Sequence, residues 1–502
     1  MKIRVLLIAL FILTPLLPSF ATPTPRAGAV CSKLGITQTV KGKKYTCIKS
    51  GKKLIWNKGE TVKKVTSIQP QTPAPASSPM PSPSATPEAS LSPSPEKTYT
   101  PSSKISDANL CKLEDGRQDT SFRLNDYQRS TGFPLQGAIL PTKGKVNFVT
   151  FFVDFSDAHG TVEDFQFFRS QEEKFIEWFD LASYGKLKAE ITSVNRWFRA
   201  KRPSSDFVLS QTNYASHPKI AQELVELTGS TFDWRNVDSF MVHFPRVNKT
   251  TLFDAQLGRG VSLSFPDGSK TINYQFYGMG TNRMAEMRNS KYPDFWSQLW
   301  IHENLHDLGL TLHAPGNGFN TGIGQNEASY SLVLSAWDMF KLGWIEDSQV
   351  FCVPPSIKSQ ITIQLVPLEL TDSGDRILVI PLSKFQALVV ESRRPVGLSK
   401  RWPSGMSGIF VYRLDTSLLT DRSSEFNGNG LDNGNNPKFP KWAFYLAPDQ
   451  RIIDSTLPAS KLDPEKYYQE WLIKVGESVT SDGVKINFVE SGKTDIVQVT
   501  KV

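Results

Sequence analysis

Cysteine is scarce: the 502 residues include only Cys31, Cys47, Cys111 and Cys352. Four cysteines cannot staple a chain of this length, so burial of apolar surface has to hold it together. Histidine is equally scarce, with six in the whole chain. Long apolar runs are missing after the first residues; no later stretch reaches the ~18 apolar residues that a membrane span needs. An excess of charge of either sign is missing from the main body. The formal net charge is +8, but residues 31–64 hold ten Lys against one acidic residue, Glu60. That segment alone accounts for +9, which leaves −1 for the remainder. The chain is a nearly neutral body with a basic tag, and no nucleic-acid partner is expected of it.

What is present begins with an export signal. Lys2 and Arg4 precede an apolar stretch over 5–17, and Ser19-Phe20-Ala21 is a small-x-small cleavage site, so residues 1–21 read as a signal peptide. The mature chain is expected outside the cell, secreted or held at the wall, with no transmembrane segment. An even number of cysteines in an exported chain points to disulfides, with Cys31–Cys47 as the local pair and Cys111–Cys352 as the long-range one. The competing assignment for Cys111 is a thiolate that caps a metal.

Residues 22–65 form a small basic module. Lys41-Gly42-Lys43-Lys44 and Ser50-Gly51-Lys52-Lys53 read as turns, with short strands at 45–48 and 54–56. The module resembles small Lys-rich Cys/Gly/Trp modules of exported actinobacterial proteins, which implies no defined activity. Its charge suits adhesion to an anionic cell-wall polymer, and equally a solvated spacer. Residues 66–105 are a linker, since ten prolines lie between Pro70 and Pro101 among Ser, Ala and Thr.

The most specific motif lies further on, at Trp300-Ile301-His302-Glu303-Asn304-Leu305-His306-Asp307-Leu308-Gly309. It contains H-E-x-x-H. With six His and 22 Glu in the chain, chance would place such a motif about 0.003 times. On a helix, His302 and His306 share one face and can grip one ion. Glu303 is placed to accept a proton from an attacking water. Pro293-Asp294 suits the start of that helix and Gly309 its stop.

Around the motif, 106–355 reads as an α/β domain. Strands are expected over 146–157, 188–197 and 237–244, and helices over 163–181, 218–228, 295–308 and 331–342. From 356 to 502, seven strand-like runs with turns between them suit a sandwich or barrel. The expected fold class is α+β, a zincin-like α/β catalytic domain followed by an all-β, sandwich-like C-terminal domain.

Several motifs occur together in order: Phe152-Val-Asp-Phe-Ser-Asp157, Ala182-Ser-Tyr-Gly-Lys-Leu187, His302 to Leu310, Leu342-Gly-Trp-Ile345, Ala387-Leu-Val-Val-Glu391-Ser-Arg393 and Gly408-Ile-Phe-Val-Tyr-Arg-Leu-Asp415. As a set they resemble the immune inhibitor A family, secreted bacterial zinc metallopeptidases, over about 130–500. The resemblance implies a zincin catalytic domain, zinc dependence and endopeptidase activity. It implies His302 and His306 as zinc ligands and Glu303 as general base. Zincins of this shape place a third ligand three residues beyond the glycine, where this chain has Leu312; the histidine falls one position later. His313 is the expected third ligand, with Glu327, Asp338 and Asp307 in reserve. Tyr330 is the candidate donor to the oxyanion. Met339 reads as core rather than as a Met-turn. The oxygen-rich loop over 427–436 is a weak candidate for Ca²⁺.

The function expected is zinc-dependent hydrolysis of protein or peptide substrates outside the cell. Two rivals share the sequence features. One is a protease-like surface-binding protein without activity; the other is a zinc amidase acting on wall peptides.

Overall fold

The computed structural model describes residues 26–31, 37–40, 43–51, 53–61, 99–115, 130–204, 217–228, 232–245, 255–266, 268–277, 295–310, 333–354, 356–400, 405–418, 442–451 and 471–502. The signal peptide and most of the linker lie outside them. The chain divides into two units, Met1–Ser94 and Pro95–Val502.

The first unit is a small sheet. β2 (Lys43–Ser50) pairs with β1 (Thr37–Val40), β3 (Lys53–Trp56) and β4 (Glu60–Thr61), all antiparallel. The Cys31–Cys47 disulfide and Trp56 make its core, with Tyr45 and Leu54 packed against them. So few apolar side chains cannot offset the chain entropy alone, which is why the cross-link matters here.

The second unit is mixed α/β and mostly strand. Its first half is built on one five-stranded sheet: β5 (Gly144–Asp154), β6 (Leu187–Arg199), β7 (Ser239–His243), β8 (Ala255–Phe265) and β9 (Gly268–Tyr277), in the order β6-β5-β7-β9-β8. The first four of that order are parallel, and β8 closes the sheet antiparallel to β9. β5 is apolar on both sides because helices cover both faces. Val146, Phe148 and Phe152 face α1 (Val162–Ala182), while Val149, Phe151 and Val153 share a core with Ala221, Leu224 and Val225 of α2 (His217–Thr228). α1 begins in a capping box: Thr161 Oγ1 accepts from the Asp164 amide and the Asp164 carboxylate accepts from the Thr161 amide, both at 3.1 Å.

The β8–β9 hairpin is absent from the sequence expectation. Its alternating Ser, Thr and Gly positions hide the apolar period, although Pro266-Asp267-Gly268 carries the two-residue turn signal. The helix expected over 331–342 is also shorter: α4, after α3 (Phe295–Asp307), spans only Ala336–Lys341, capped by Ser335.

After α4, the described elements are strands and single 3₁₀ turns. β10 (Val350–Cys352), β12 (Ile377–Pro381), β13 (Gln386–Arg393), β14 (Gly408–Asp415) and β15 (Ala443–Tyr445) form one sheet. β11 (Ile361–Leu365), β18 (Asp495–Lys501), β17 (Val484–Ser491) and β16 (Ser478–Ser481) form a second. Leu378, Leu388, Val390 and Val411 of the first pack on Ile363, Ile486, Val497 and Val499 of the second. The alternate residues Val379, Val389, Phe410 and Tyr412 face the other way, into the core that holds Trp300, Trp337 and Trp344. The same core therefore runs from the helices into the strands beyond residue 355.

Buried charges tie the halves together. Glu391, with no exposed side-chain surface, accepts from Arg393 at 2.8 Å, from the Ala336 amide at 2.7 Å and from Tyr412 Oη at 3.1 Å. It thereby caps α4 from a neighbouring strand. Cys111 is bonded to Cys352 across 241 residues.

Candidate metal centre

α3 runs into the core as a helix whose two sides do different work. Trp296 and Trp300 point back onto α1, with ring centroids 5.6 and 6.3 Å from Phe168. A different side, about a third of a turn round, carries His302 and His306, one turn apart. Their ring centroids are 4.8 Å apart at 84°, an edge-to-face pair that leaves both rings on one side of the helix. Donor atoms of His302, Glu303 and His306 all lie within 4.8 Å of one another. Both imidazoles are buried and Glu303 is half-buried.

The end of α3 is fixed with care. The Leu310 amide donates to Leu305 O at 3.2 Å and the Gly309 amide to His306 O at 3.1 Å, the paired bonds of a Schellman stop. Gly309 sits at φ +91°, where a side chain is strained. Beyond it, Ile139 and Leu140 amides donate to Asp307 O at 2.8 and 3.1 Å. The Leu310 carbonyl lies 3.2 Å from His306 Nδ1. A carbonyl only accepts, so Nδ1 carries the hydrogen and the ring's lone pair is at Nε2. That is the tautomer control that metal-binding histidines ordinarily receive from a neighbouring acceptor.

Behind the helix lies a polar group that the sequence reading missed. His243 of β7 lies against two rings, Phe168 at 4.4 Å and 6° and Trp300 at 4.7 Å and 24°. Its Nε2 is 3.6 Å from Glu172 Oε1. Glu172 accepts from Thr150 at 2.7 Å and Ser193 at 2.6 Å, and Arg169 lies at 3.2 Å. Burial pushes the Glu172 carboxyl up, but the facing His243 and the hydroxyls of Ser193 and Thr150 outweigh it and hold it below the usual value. Burial pushes the His243 imidazole down, against the pull of Glu172. The neighbouring Gln171 accepts from the Ser297 amide at 3.2 Å, satisfying one orphan donor in the first turn of α3. A signal existed: Glu172 falls on the apolar stripe of α1 with Phe168, Phe175 and Phe179, where a solvated carboxylate does not belong.

Of the expected site residues, His302, Glu303 and His306 come together. His313, Glu327, Tyr330 and the 427–436 loop lie outside the described residues. Asp338 is turned elsewhere: it pairs with Lys341 at 3.0 Å and accepts from Ser335 at 2.9 Å, inside the core. Asp307 is buried, and it is not part of the His-Glu-His group. Met339 is core, as its helical position suggested. Cys111 is a disulfide cysteine, so the metal-capping assignment falls.

Two imidazoles at helical i, i+4 spacing with an adjacent carboxylate are a donor set that could hold a metal ion. Fold and site together define a mixed α/β protein bearing a helix-borne His-Glu-His group that can hold a metal ion. The chain matches no model of a known protein family and no curated protein. The likeness to the immune inhibitor A family therefore stands on the motifs alone.

Proposed function

We propose that this chain is a secreted zinc-dependent endopeptidase with a zincin-like catalytic half. The observation that carries the reading is the convergence of His302, Glu303 and His306 on one side of a well-anchored helix. Zinc held there would polarise the scissile carbonyl and acidify the attacking water. His302 and His306 hold the ion through ring nitrogens, and the Leu310 carbonyl keeps His306 in the ligating tautomer. Glu303, the least buried of the three, takes the proton of the attacking water and returns it to the leaving amine. β8 ends its sheet and packs beside α3, so an extended substrate strand added to that edge would lie along the metal helix. His313 is proposed as third ligand and Tyr330 as oxyanion donor, both from the sequence reading. Two disulfides are consistent with an exported protein, and no helix among the described residues is long and apolar enough to cross a membrane.

Metal analysis and one variant test this. The purified chain should hold about one zinc, and Glu303→Gln should keep the zinc while losing casein hydrolysis by at least about 10³-fold. Absence of zinc would favour the inactive surface-binding protein. Cleavage of purified cell wall but not casein would favour the amidase. Full activity in Glu303→Gln would end the mechanism.

A further inference from the structure

Lysines are balanced differently in the two units. In the second unit many pair with carboxylates, among them Lys145 with Glu190 at 2.6 Å, Lys384 with Glu114 at 2.8 Å, Lys493 with Asp372 at 2.6 Å, and Lys188 with Asp180. In the first unit Lys43, Lys49, Lys53 and Lys58 are exposed, and among the described residues none of them makes an ion pair. The one acid available in 31–64 is Glu60, against ten lysines.

The register shows where these charges point. Trp56 pairs with Cys47 and Ser50 with Lys53, so Lys53 lies on the sheet face opposite the Cys47–Trp56 core. Lys43 and Lys49 lie on the core face, at the two ends of β2, and Lys58 sits in the bend after β3. The cations therefore diverge over both faces. A discrete ligand needs convergent groups, and a flat membrane engages one face. Val30, Ile55 and Ile48 do form a row on the Lys53 face, with Val30 and Ile48 exposed and Ile55 half-buried, but three aliphatic side chains are a short anchor. Diverging point charges suit a flexible linear polyanion that passes over both faces and gives up its counter-ions. The segment has no Arg, whose planar fork grips carboxylates and phosphates bidentately; its lysine ammoniums act as point charges, the mode in which Lys binds phosphate. Holding nine net charges on a small sheet works against its own stability, and the disulfide that closes the module offsets this.

We infer that the N-terminal module is a binding site for a linear polymer of repeated phosphate groups, recognised by the uncompensated lysines of both sheet faces. The inference is independent of the peptidase reading, since its test uses no hydrolysis.

The full chain is titrated with long-chain inorganic polyphosphate at about 50 and 200 mM salt, where polyelectrolyte binding changes steeply. Wild type should bind, and more weakly as salt rises. Neutralising the four module lysines (K43Q, K49Q, K53Q and K58Q together) should weaken binding and lower the log–log salt slope by about 3, roughly 0.7 per contact. Removing the same charge from the body (K145Q, K188Q, K384Q and K493Q together) should leave affinity within about twofold. Lys→Arg at the four module positions should retain binding, which guards against loss of fold. The inference is overturned if both quadruple Gln variants lose affinity equally, or if the module variant binds like wild type. It is also overturned if phosphatidylglycerol vesicles or polygalacturonate are bound in preference to polyphosphate.

Discussion

Gly309→Ala is the perturbation that most directly joins backbone geometry to the metal centre. Gly309 lies two residues past the end of α3, at φ +91°. An L-residue held in left-handed backbone costs about 1–2 kcal/mol. An added Cβ would also stand 3.0 Å from Gln136 O and 3.1 Å from Ala138 N. Both are backbone atoms, so neither can swing aside as a flexible side chain would, and overpacking of this kind adds about 1 kcal/mol or more. The expected destabilisation is about 2–4 kcal/mol, which in a unit of this size lowers Tm by roughly 2–5 °C. The site should suffer separately. Leu310, the next residue, carries the carbonyl that meets His306 Nδ1, and outer contacts of this kind are worth about 10–100-fold in metal affinity. Zinc competition against a chromophoric chelator, run beside a thermal melt, measures both effects. Gly309→Asn should be milder than Ala, because Asn tolerates left-handed backbone better. An Ala variant with wild-type Tm and wild-type zinc affinity would refute the reasoning, since neither the strain nor the tautomer control would then exist.

Three further outcomes are expected. Glu172→Gln should lower Tm at neutral pH, and its deficit against wild type should shrink on acidification. A carboxyl whose pKa is depressed on folding lends stability above its unfolded value, near 4.5, and loses it as pH falls through the folded value; a deficit constant from about pH 7 to 3 would contradict this. His243 adds an earlier acid loss, because its folded pKa is depressed below 6.5 by burial, so His243→Gln should flatten the decline that wild type shows on acidification below about pH 6.5. Replacing both Cys111 and Cys352 with Ser should cost about 5 kcal/mol, since the bond closes a loop of 241 residues, and urea melts with and without reductant check it.

Much of the candidate site was legible because its information is local. H-E-x-x-H needs only a helix to bring its imidazoles together, and five residues specify that spacing. Gly309 as a stop and the Cys31–Cys47 and Cys111–Cys352 pairings were readable for similar reasons: a glycine where backbone must turn, and a short list of partners in an exported chain. The strands after residue 356 announced themselves as strand-like runs with turns between them, while the β8–β9 hairpin, with its small and polar residues, did not.

Other features exist only in three dimensions. Asp338 had the right chemistry for a ligand, yet its partners are Ser335 and Lys341 in the core, because α4 points it there. Glu172 and His243 are 71 positions apart, and nothing local says that one helix and one strand will place them together behind Trp300. The sequence by itself determined a helix bearing two imidazoles and a carboxylate, an oxidised pair of cysteine bridges, and a basic module joined by proline-rich chain. Tertiary structure alone decided which way the helix is turned, what supports its back, and which carboxylates are consumed as structure. Local spacing needs only backbone periodicity, whereas the choice of partner for a buried charge depends on which surfaces close over it.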